Sequence, residues 1–314
     1  MKIREANPYD AKSIVEVHKS DIATWYLVRG DDLIEADYEE LSADDRWLHG
    51  GPWMSYDTCI VHLSNFPKWG GKIFVGILDD KIVGEIEVIR DEEVEPYGEH
   101  LYIYVLMIHK DNRGKGVGTE LIKVAEDYAR DQGLDKVLVS SEERSIGFYQ
   151  RIGYKLLEDY KVIEISSDKN IKYPEKIHYE PLTKINKELV RGRKLVIGRF
   201  HNTIATLYNI STIYPLQRIH QKYFFFKLYD DGLEHVIVIR KSDILPHLLY
   251  GWIDVRGQED ITIIKAIKWS LFIAKRLGIR KIMTCVPSTI LNKLKSSFIN
   301  IREIESNPWY VKNL

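Results

Sequence analysis

The sequence predicts an α/β (α+β) fold in which strands alternate with helices. Two runs rich in β-branched residues, 72–78 and 82–89, are separated by two aspartates and predict a hairpin. A third apolar run, 101–108, is followed by a glycine-rich loop and then by a helical pattern over 119–130. A similar order of strands and helices recurs in the second half of the chain.

The other elements of the first half can be placed in order. Residues 3–6 predict a short strand, and Asn7-Pro8 is typical of a helix start. The helix that follows carries apolar residues and one histidine on a single face: Ala11, Ile14, Val15 and His18. No periodic pattern covers residues 30–71. A strand over 136–140 and a last strand near 160–165 complete this half.

The loop 113–118, with the sequence Arg-Gly-Lys-Gly-Val-Gly, is the most informative segment. Glycines at alternate positions let the backbone approach a ligand closely, and the following helix adds the positive end of its dipole. The loop therefore predicts a diphosphate site. It lacks the Gly-Lys-Ser/Thr of a Walker loop, and its glycine spacing differs from that of the dinucleotide fingerprint.

Two motifs together resemble the GNAT N-acetyltransferase superfamily. An Arg-x-x-Gly-x-Gly loop between strand and helix is similar to the family's acetyl-coenzyme A (acetyl-CoA) loop. Downstream, residues 142–154 carry Phe148-Tyr149 on a helix and end on Gly153-Tyr154, which resembles the second family signature. The resemblance implies the GNAT fold, a mixed central sheet flanked by helices, with acetyl-CoA as cosubstrate.

The resemblance also implies which residues hold acetyl-CoA. The loop backbone and Thr119 would bind the pyrophosphate, and a splayed strand before the loop would bind the pantetheine arm and polarise the thioester carbonyl. The predicted cofactor-binding residues are Leu106, Met107, Ile108, Arg113, Gly114, Lys115, Gly116, Val117, Gly118 and Thr119. Glu142 stands where the family often has asparagine, so that amide contact is not expected.

Acyl transfer to an amine also needs a general acid and a general base. The resemblance puts Tyr149 at the family's acid position, and a phenol with a pKa near 10 can donate to a departing thiolate. The base is left open among three residues. Tyr102 lies about eleven residues before the loop arginine, where many family members place a base. Glu85 and Glu87 share one face of a predicted strand and could reach the cleft directly or through water.

Composition excludes several classes of protein. No apolar stretch approaches the roughly 18 residues of a membrane span, and the first residues carry no signal-peptide pattern. The two cysteines, Cys59 and Cys285, lie in different halves, and no cluster with metal-ligand spacing is present. We therefore expect a soluble, cytoplasmic protein without a disulfide or a bound metal. Four tryptophans between 25 and 69 could enclose the acceptor amine.

The second half repeats features of the first. Residues 274–282 match 129–137 at an offset of 145 positions, and a hairpin recurs over 229–240. We predict a catalytic domain over 1–170 and a degenerate GNAT-like domain over 182–314. At the offset of 145, the three loop glycines become Glu259, Ile261 and Ile263, which would block or repel a diphosphate.

The favoured function is an acetyl-CoA-dependent N-acetyltransferase that acts on a primary amine, by direct transfer in a ternary complex. The amine could belong to a small molecule or a protein. Residues 182–314 hold 22 Lys and Arg against 10 Asp and Glu, so a non-catalytic module that binds acyl-CoA or nucleic acid is the alternative. No nucleic-acid-binding motif supports that alternative. The second half could also shape the cleft, bind a partner or form a homodimer.

Overall fold

The fold follows from a computed structural model that describes residues 1–29, 32–166, 178–216, 221–256, 259–297 and 300–314. Most of the predicted domain boundary, 171–182, lies outside the described residues. The domain limits of 1–170 and 182–314 therefore remain a prediction.

The first half contains the predicted hairpin, loop and helix. Its elements are β1 (Lys2–Glu5), α1 (Ala11–Lys19), β2 (Tyr26–Arg29), β3 (Asp32–Glu35), α2 (Ala43–Trp47), α3 (Tyr56–Asn65), β4 (Gly71–Leu78), β5 (Lys81–Glu93), β6 (Gly98–Ile108), α4 (Val117–Asp131), β7 (Lys136–Ser140), α5 (Ile146–Arg151) and β8 (Lys155–Ser166). The sequence pattern missed the helices α2 and α3 and the hairpin β2–β3, because no periodicity marks them.

The second half contains the predicted hairpin, and the elements that follow it repeat the predicted order of strands and helices. Its elements are β9 (His178–Leu182), α6 (Lys187–Val190), β10 (Lys194–Ile197), α7 (Thr203–Tyr208), β11 (Gln221–Asp230), β12 (Leu233–Ser242), β13 (Leu248–Ile253), α8 (Glu259–Arg276), β14 (Lys281–Pro287), α9 (Leu291–Ser297) and β15 (Ile301–Asn313). The last strand, β15, was not predicted.

In the described part of the chain, one mixed sheet of 13 strands runs through both halves. Its order is β1-β4-β5-β6-β7-β15-β8-β14-β13-β12-β11-β9, and β10 pairs with β13. The C-terminal strand β15 lies between β7 and β8 and is antiparallel to both. In turn, β8 lies between β15 and β14. Each half therefore contributes a central strand to the other.

Strands β6 and β7 separate at the level of the glycine loop. They are parallel and pair only from Leu101↔Val137 to Ile103↔Val139. Beyond this point β6 keeps its antiparallel partner β5 on the other side, through Gly84↔Ile108. The backbone of residues 104–108 thus has one edge free for a ligand, because each strand residue carries hydrogen-bonding groups to both sides.

A buried arginine connects the two halves. The Arg199 guanidinium makes two hydrogen bonds to Glu93, at 2.6 and 3.1 Å, and lies over the ring of Tyr97 at 3.4 Å. Asp91 and His100 complete a group whose ligand-type atoms all lie within 4.8 Å of those of Glu93, although sequence spacing gave no such cluster. Because Glu93 is already paired with a cation, we interpret this group as an ion-pair network rather than a metal site.

Arg199→Met is expected to lower the free energy of unfolding by about 3–5 kcal/mol, because it leaves the buried Glu93 without its charge partner. Arg90→Met is the matched control. Arg90 makes a similar pair with Glu99 at 2.8 Å, but both side chains are about half exposed, so the loss should be about 0–1 kcal/mol. Urea unfolding measures both changes. Equal losses of unfolding free energy in the two variants would contradict the interpretation of Arg199 and Glu93 as a stabilising buried ion pair.

Candidate active site

The glycine loop forms an open cradle at the start of α4. Gly114 and Gly116 have φ of +75° and +83°, which side-chain-bearing residues rarely adopt. A Cβ atom built on either glycine would meet no described atom within 4 Å. The first backbone N–H groups of the 15-residue α4 have no partner within the helix. The loop therefore offers bare main chain and a helix N-terminus to an anion.

A pocket of about 910 Å³ extends from this loop along the free edge of β6. It passes between the ends of β6 and β7, reaches the helix α5, and ends against residues of α1 and the segment 49–54. The volume is in the range of pockets that enclose most of a drug-sized ligand. The separation of β6 and β7 creates this space, and the glycine loop closes one end of it.

The predicted cofactor-binding residues are brought together at this pocket, with one exception. Those that line it are Leu106, Met107, Ile108, Arg113, Gly114, Gly116, Val117, Gly118 and Thr119. Lys115 is not among the lining residues, and its Nζ donates to Asn112 at 3.2 Å.

A carboxylate that sequence reasoning missed lines the pocket. Asp21 forms ion pairs with Arg113 at 2.6 Å and with Arg144 at 3.0 Å, and all three residues line the pocket. Partial burial raises the pKa of Asp21, but the two guanidinium groups outweigh it and hold that pKa below its usual range. This carboxylate thus connects the glycine loop to the segment before α5.

Tyr149 lies on α5 and its side chain lines the pocket. The ring is buried and packs edge-on against Phe148 and Tyr154, with centroid distances of 5.1 and 5.6 Å. Burial, with a smaller effect from the charge of Glu142, raises the pKa of the Tyr149 phenol. The phenol therefore keeps its proton at neutral pH.

Glu85 and Glu87 are fully buried on β5, behind the acceptor end of the pocket. Glu85 Oε1 lies 2.5 Å from Nε2 of His18, on α1. Glu87 accepts a hydrogen bond from Nε1 of Trp53 at 2.8 Å and lies 2.8 Å from Nε2 of His62. Neither carboxyl group is among the pocket-lining side chains, whereas His18 and Trp53 are. The two carboxylates predicted as bases thus reach the pocket only through these rings.

Burial governs the protonation of the Glu85–His18 pair. It raises the pKa of Glu85 well above its ordinary value, and the nearby charge of Glu87 adds to this. Burial also lowers the pKa of His18 to about 4, against an opposing effect of Glu87. Both changes mean that a proton bound by this pair lies on Glu85, which gives an uncharged pair rather than an imidazolium–carboxylate ion pair.

Tyr102, the third candidate base, lies outside the pocket lining. Its buried ring stacks on Trp309 with a centroid distance of 5.2 Å, and its hydroxyl lies 3.2 Å from Nδ1 of His201. Burial raises the pKa of this phenol. The neighbouring Tyr104 does line the pocket, and its hydroxyl donates to Oδ1 of Asn209 at 2.6 Å. The second half of the chain therefore contacts the wall of the site.

Comparison with known proteins agrees with this geometry. A sequence profile described as the acetyltransferase (GNAT) family matches residues 32–154. N-alpha-acetyltransferase 30 of Schizosaccharomyces pombe is 30% identical over 115 residues, which are 34% of this chain and 75% of that protein. The chain belongs to the GNAT family. Acetyl transfer is the chemistry of this family, and its members generally use acetyl-CoA.

Other GNAT relatives match over shorter shares of their length. Human N-acetyltransferase 8B is 24% identical over 114 residues, which are 33% of this chain and 50% of that protein. The chain thus spans about half the length of the human and rat relatives that it matches. None of the helices in the described ranges is long and apolar enough to cross a lipid bilayer.

The GNAT fold extends over both halves. A solved tandem GNAT protein from the clavulanic acid biosynthesis pathway superposes with a TM-score of 0.55 at 10% identity. The alignment covers 99% of this chain and 98% of that protein. At this identity the likeness concerns the fold alone, and it confirms the predicted mixed sheet flanked by helices.

Proposed function

We propose that this GNAT protein transfers the acetyl group of acetyl-CoA to a primary amine, by direct transfer in a ternary complex. The observation that carries the proposal is the continuous pocket, which joins the bare glycine cradle to His18 and Trp53 without a break. One end suits a diphosphate, and the other end has proton-accepting groups behind it. Both substrates could therefore meet beside the free edge of β6.

Acetyl-CoA would be held by main chain rather than by long side chains. The backbone N–H groups at Gly114, Gly116 and Gly118 suit the pyrophosphate, because glycine has no side chain that would project into the cradle and keep the phosphates away. The free edge of β6 at Leu106–Ile108 suits the pantetheine arm and the thioester carbonyl. When bound, acetyl-CoA supplies the activated acetyl group.

The chain's own residues would handle the protons. Tyr149 is the proposed acid for the leaving thiolate, and Glu85 and Glu87 are the proposed source of basicity. Tyr102 stays a prediction that ranks behind them, because neither Tyr102 nor its hydrogen-bond partner His201 lines the pocket, whereas Glu85 and Glu87 bond to His18 and Trp53, which do. The two described cysteines, Cys59 and Cys285, are buried and do not line it either, which favours direct transfer over an acyl-cysteine intermediate.

The second half would hold no acetyl-CoA at the equivalent position. There Glu259 begins α8 and accepts a hydrogen bond from Nζ of Lys194 at 2.9 Å, and Ile263 is fully buried. An acidic side chain at the start of α8 would repel a diphosphate there. We propose that this half supports the catalytic site instead, through contacts such as Asn209 with Tyr104.

The first experiment is coenzyme A release from acetyl-CoA in the presence of an amine library. Initial rates measured over both substrate concentrations should give intersecting double-reciprocal lines, as expected for a ternary complex. Parallel lines would indicate a covalent acyl-enzyme and contradict direct transfer. Tight binding of acetyl-CoA without release at any amine would favour the non-catalytic alternative.

Tyr149→Phe is expected to lower kcat by about 10²-fold or more, the usual contribution of a positioned general acid. The Kd of acetyl-CoA should change less than about threefold, because the ring and its packing are retained. Tyr154→Phe is the matched control. Its hydroxyl donates to Glu126 at 3.3 Å, and its side chain is not among those lining the pocket. Equal effects of the two variants on kcat would contradict an acid role for Tyr149.

A further inference from the structure

The ring of His18 lies between the pocket and a buried carboxylate. His18 is on α1, is only 3% exposed, and is one of the residues that line the pocket. Its Nε2 lies 2.5 Å from Oε1 of Glu85, which has no exposed surface. Within the described part of the chain, no hydrogen bond to Nδ1 of His18 is found. This second nitrogen is therefore the one left for a molecule in the pocket.

The ring is held in this orientation from several sides. Trp53 stacks on it with a centroid distance of 5.3 Å and an interplanar angle of 7°. Trp53 is itself fixed by its hydrogen bond to Glu87. The other titratable groups around the pair are Glu87 on β5, His62 and Cys59 on α3, and Asp21 just after α1.

We infer that His18 and Glu85 act as one proton relay, in which Nδ1 of His18 takes a proton from the acceptor ammonium and Nε2 passes its own proton to Glu85. The inference rests on the proposed function and adds to it the group that touches the amine. It explains how a carboxylate outside the pocket lining can serve as a base.

The relay balances in protons and charge. Before the step, the amine is an ammonium, Glu85 is a carboxylate, and neutral His18 donates Nε2–H to Oε1. After the step, the amine is neutral, Nδ1 carries the incoming proton, and Glu85 is a carboxylic acid that donates to Nε2. The amine then forms the C–N bond while the C–S bond breaks. Tyr149 protonates the thiolate, and the proton that leaves the new amide nitrogen restores the phenol.

Burial gives the relay its basicity. An isolated His18 would be a weak base, since burial lowers its pKa to about 4. The proton ends on Glu85, whose pKa is raised well above its ordinary value by burial and by Glu87. The pair can accept a proton only above this raised pKa, so kcat/KM should rise with pH up to that value and then level. Substitution of either His18 or Glu85 should abolish this rise of kcat/KM with pH.

The test compares His18→Ala, Glu85→Gln and the wild-type protein by coenzyme A release at saturating acetyl-CoA. We expect both variants to lose about 10²–10⁴-fold in kcat, to lose the pH-dependent limb, and to keep the Kd of acetyl-CoA. Added imidazole should restore part of the turnover of His18→Ala, because it fits the space left beside Trp53. Substituted imidazoles should restore it in the order of their pKa values.

His235→Ala is the control for removing a buried histidine. His235 is fully buried in the second half, where its Nδ1 accepts from the Asp254 N–H at 3.2 Å. Its pH profile should match the wild type, and imidazole should not change its rate. If His18→Ala is too unstable to assay, the pH profile of Glu85→Gln alone tests the relay. A kcat/KM of this variant that still rises with pH as in the wild type would overturn the relay.

The outcomes separate the two proposals. If the wild-type protein transfers acetyl groups and His18→Ala keeps both the rate and its rise with pH, the relay is overturned. The proposed function then still stands. A rate loss in His18→Ala that imidazole does not restore, with the pH limb intact, also overturns the relay. A wild-type protein that releases no coenzyme A overturns the proposed function, and the relay with it.

Discussion

Gly118→Leu is expected to abolish detectable acetyl-CoA binding while the protein stays folded, which corresponds to at least a 100-fold rise in Kd. Gly118 is the second residue of α4 and does not have a left-handed backbone. A Cβ atom there would lie 3.4 Å from Phe148 and 3.8 Å from Ile108, which are ordinary contacts. The rest of the leucine side chain would extend into the cradle that the diphosphate needs.

This substitution separates binding from folding better than a change at Gly116. With φ at +83°, any side chain at Gly116 would strain the loop itself. At Gly118, by contrast, leucine is the better helix former by up to about 1 kcal/mol. Isothermal titration with acetyl-CoA and a thermal melt should therefore show lost affinity without a lower Tm.

Gly147→Leu is the matched control, because Gly147 is also a helical glycine but does not line the pocket. A Cβ atom there would meet only the flexible end of Arg151, at 3.4 Å. Affinity should stay within about threefold of the wild type. If Gly118→Leu also kept that affinity, the glycine loop would not be the diphosphate site.

A chain that ends at residue 300 is expected to show no cooperative unfolding transition and no acetyl-CoA binding. Such a truncation removes β15, which pairs with β7 and β8 and lies at the centre of the sheet. It also removes the buried Trp309 and Tyr310, each worth about 1.5–3 kcal/mol in apolar burial. Together with the lost backbone hydrogen bonds, this approaches the roughly 5–15 kcal/mol of net stability of a typical protein.

Single substitutions in β15 give a graded version of this experiment. Trp309→Ala should lower the free energy of unfolding by about 3–5 kcal/mol, since it leaves a cavity beside Tyr102. Ile304→Ala is the control, because Ile304 lies on the same strand but its side chain is 44% exposed. This substitution should lower the free energy of unfolding by less than about 1 kcal/mol. Denaturant unfolding measures both. A truncated chain that melts like the wild type would show that β15 is dispensable.

The sequence predicted the parts of the site that lie close together along the chain. The strand, glycine loop and helix over 101–130 form one continuous segment, so their motif spacing carries over directly into geometry. Phe148-Tyr149 follow soon after on a helix that returns to the same pocket. Lys115 is the one predicted cofactor-binding residue that does not line the pocket, and its side chain donates to Asn112 instead. Motif spacing in a loop does not determine the direction of a side chain.

The acceptor side was harder to predict, because its groups are distant in the chain. Glu85 and Glu87 were found from strand alternation, but their partners His18 and His62 lie on helices elsewhere. A usable signal existed at His18, since a titratable residue on an apolar helix face needs a buried partner. Nothing in the sequence indicated that the partner would be Glu85, or that the ring would separate it from the pocket.

By itself, the sequence determined the local features: the hairpin, the bare loop that begins α4, and the GNAT resemblance that they carry. These depend on backbone conformation and side-chain periodicity, which short segments express on their own. Only the tertiary structure decided that β15 completes the first half, that Tyr102 packs against Trp309 outside the pocket lining, and that His18 stands in front of Glu85. Such pairings join residues tens to more than 150 positions apart, and they are selected by burial and sheet register rather than by any local pattern.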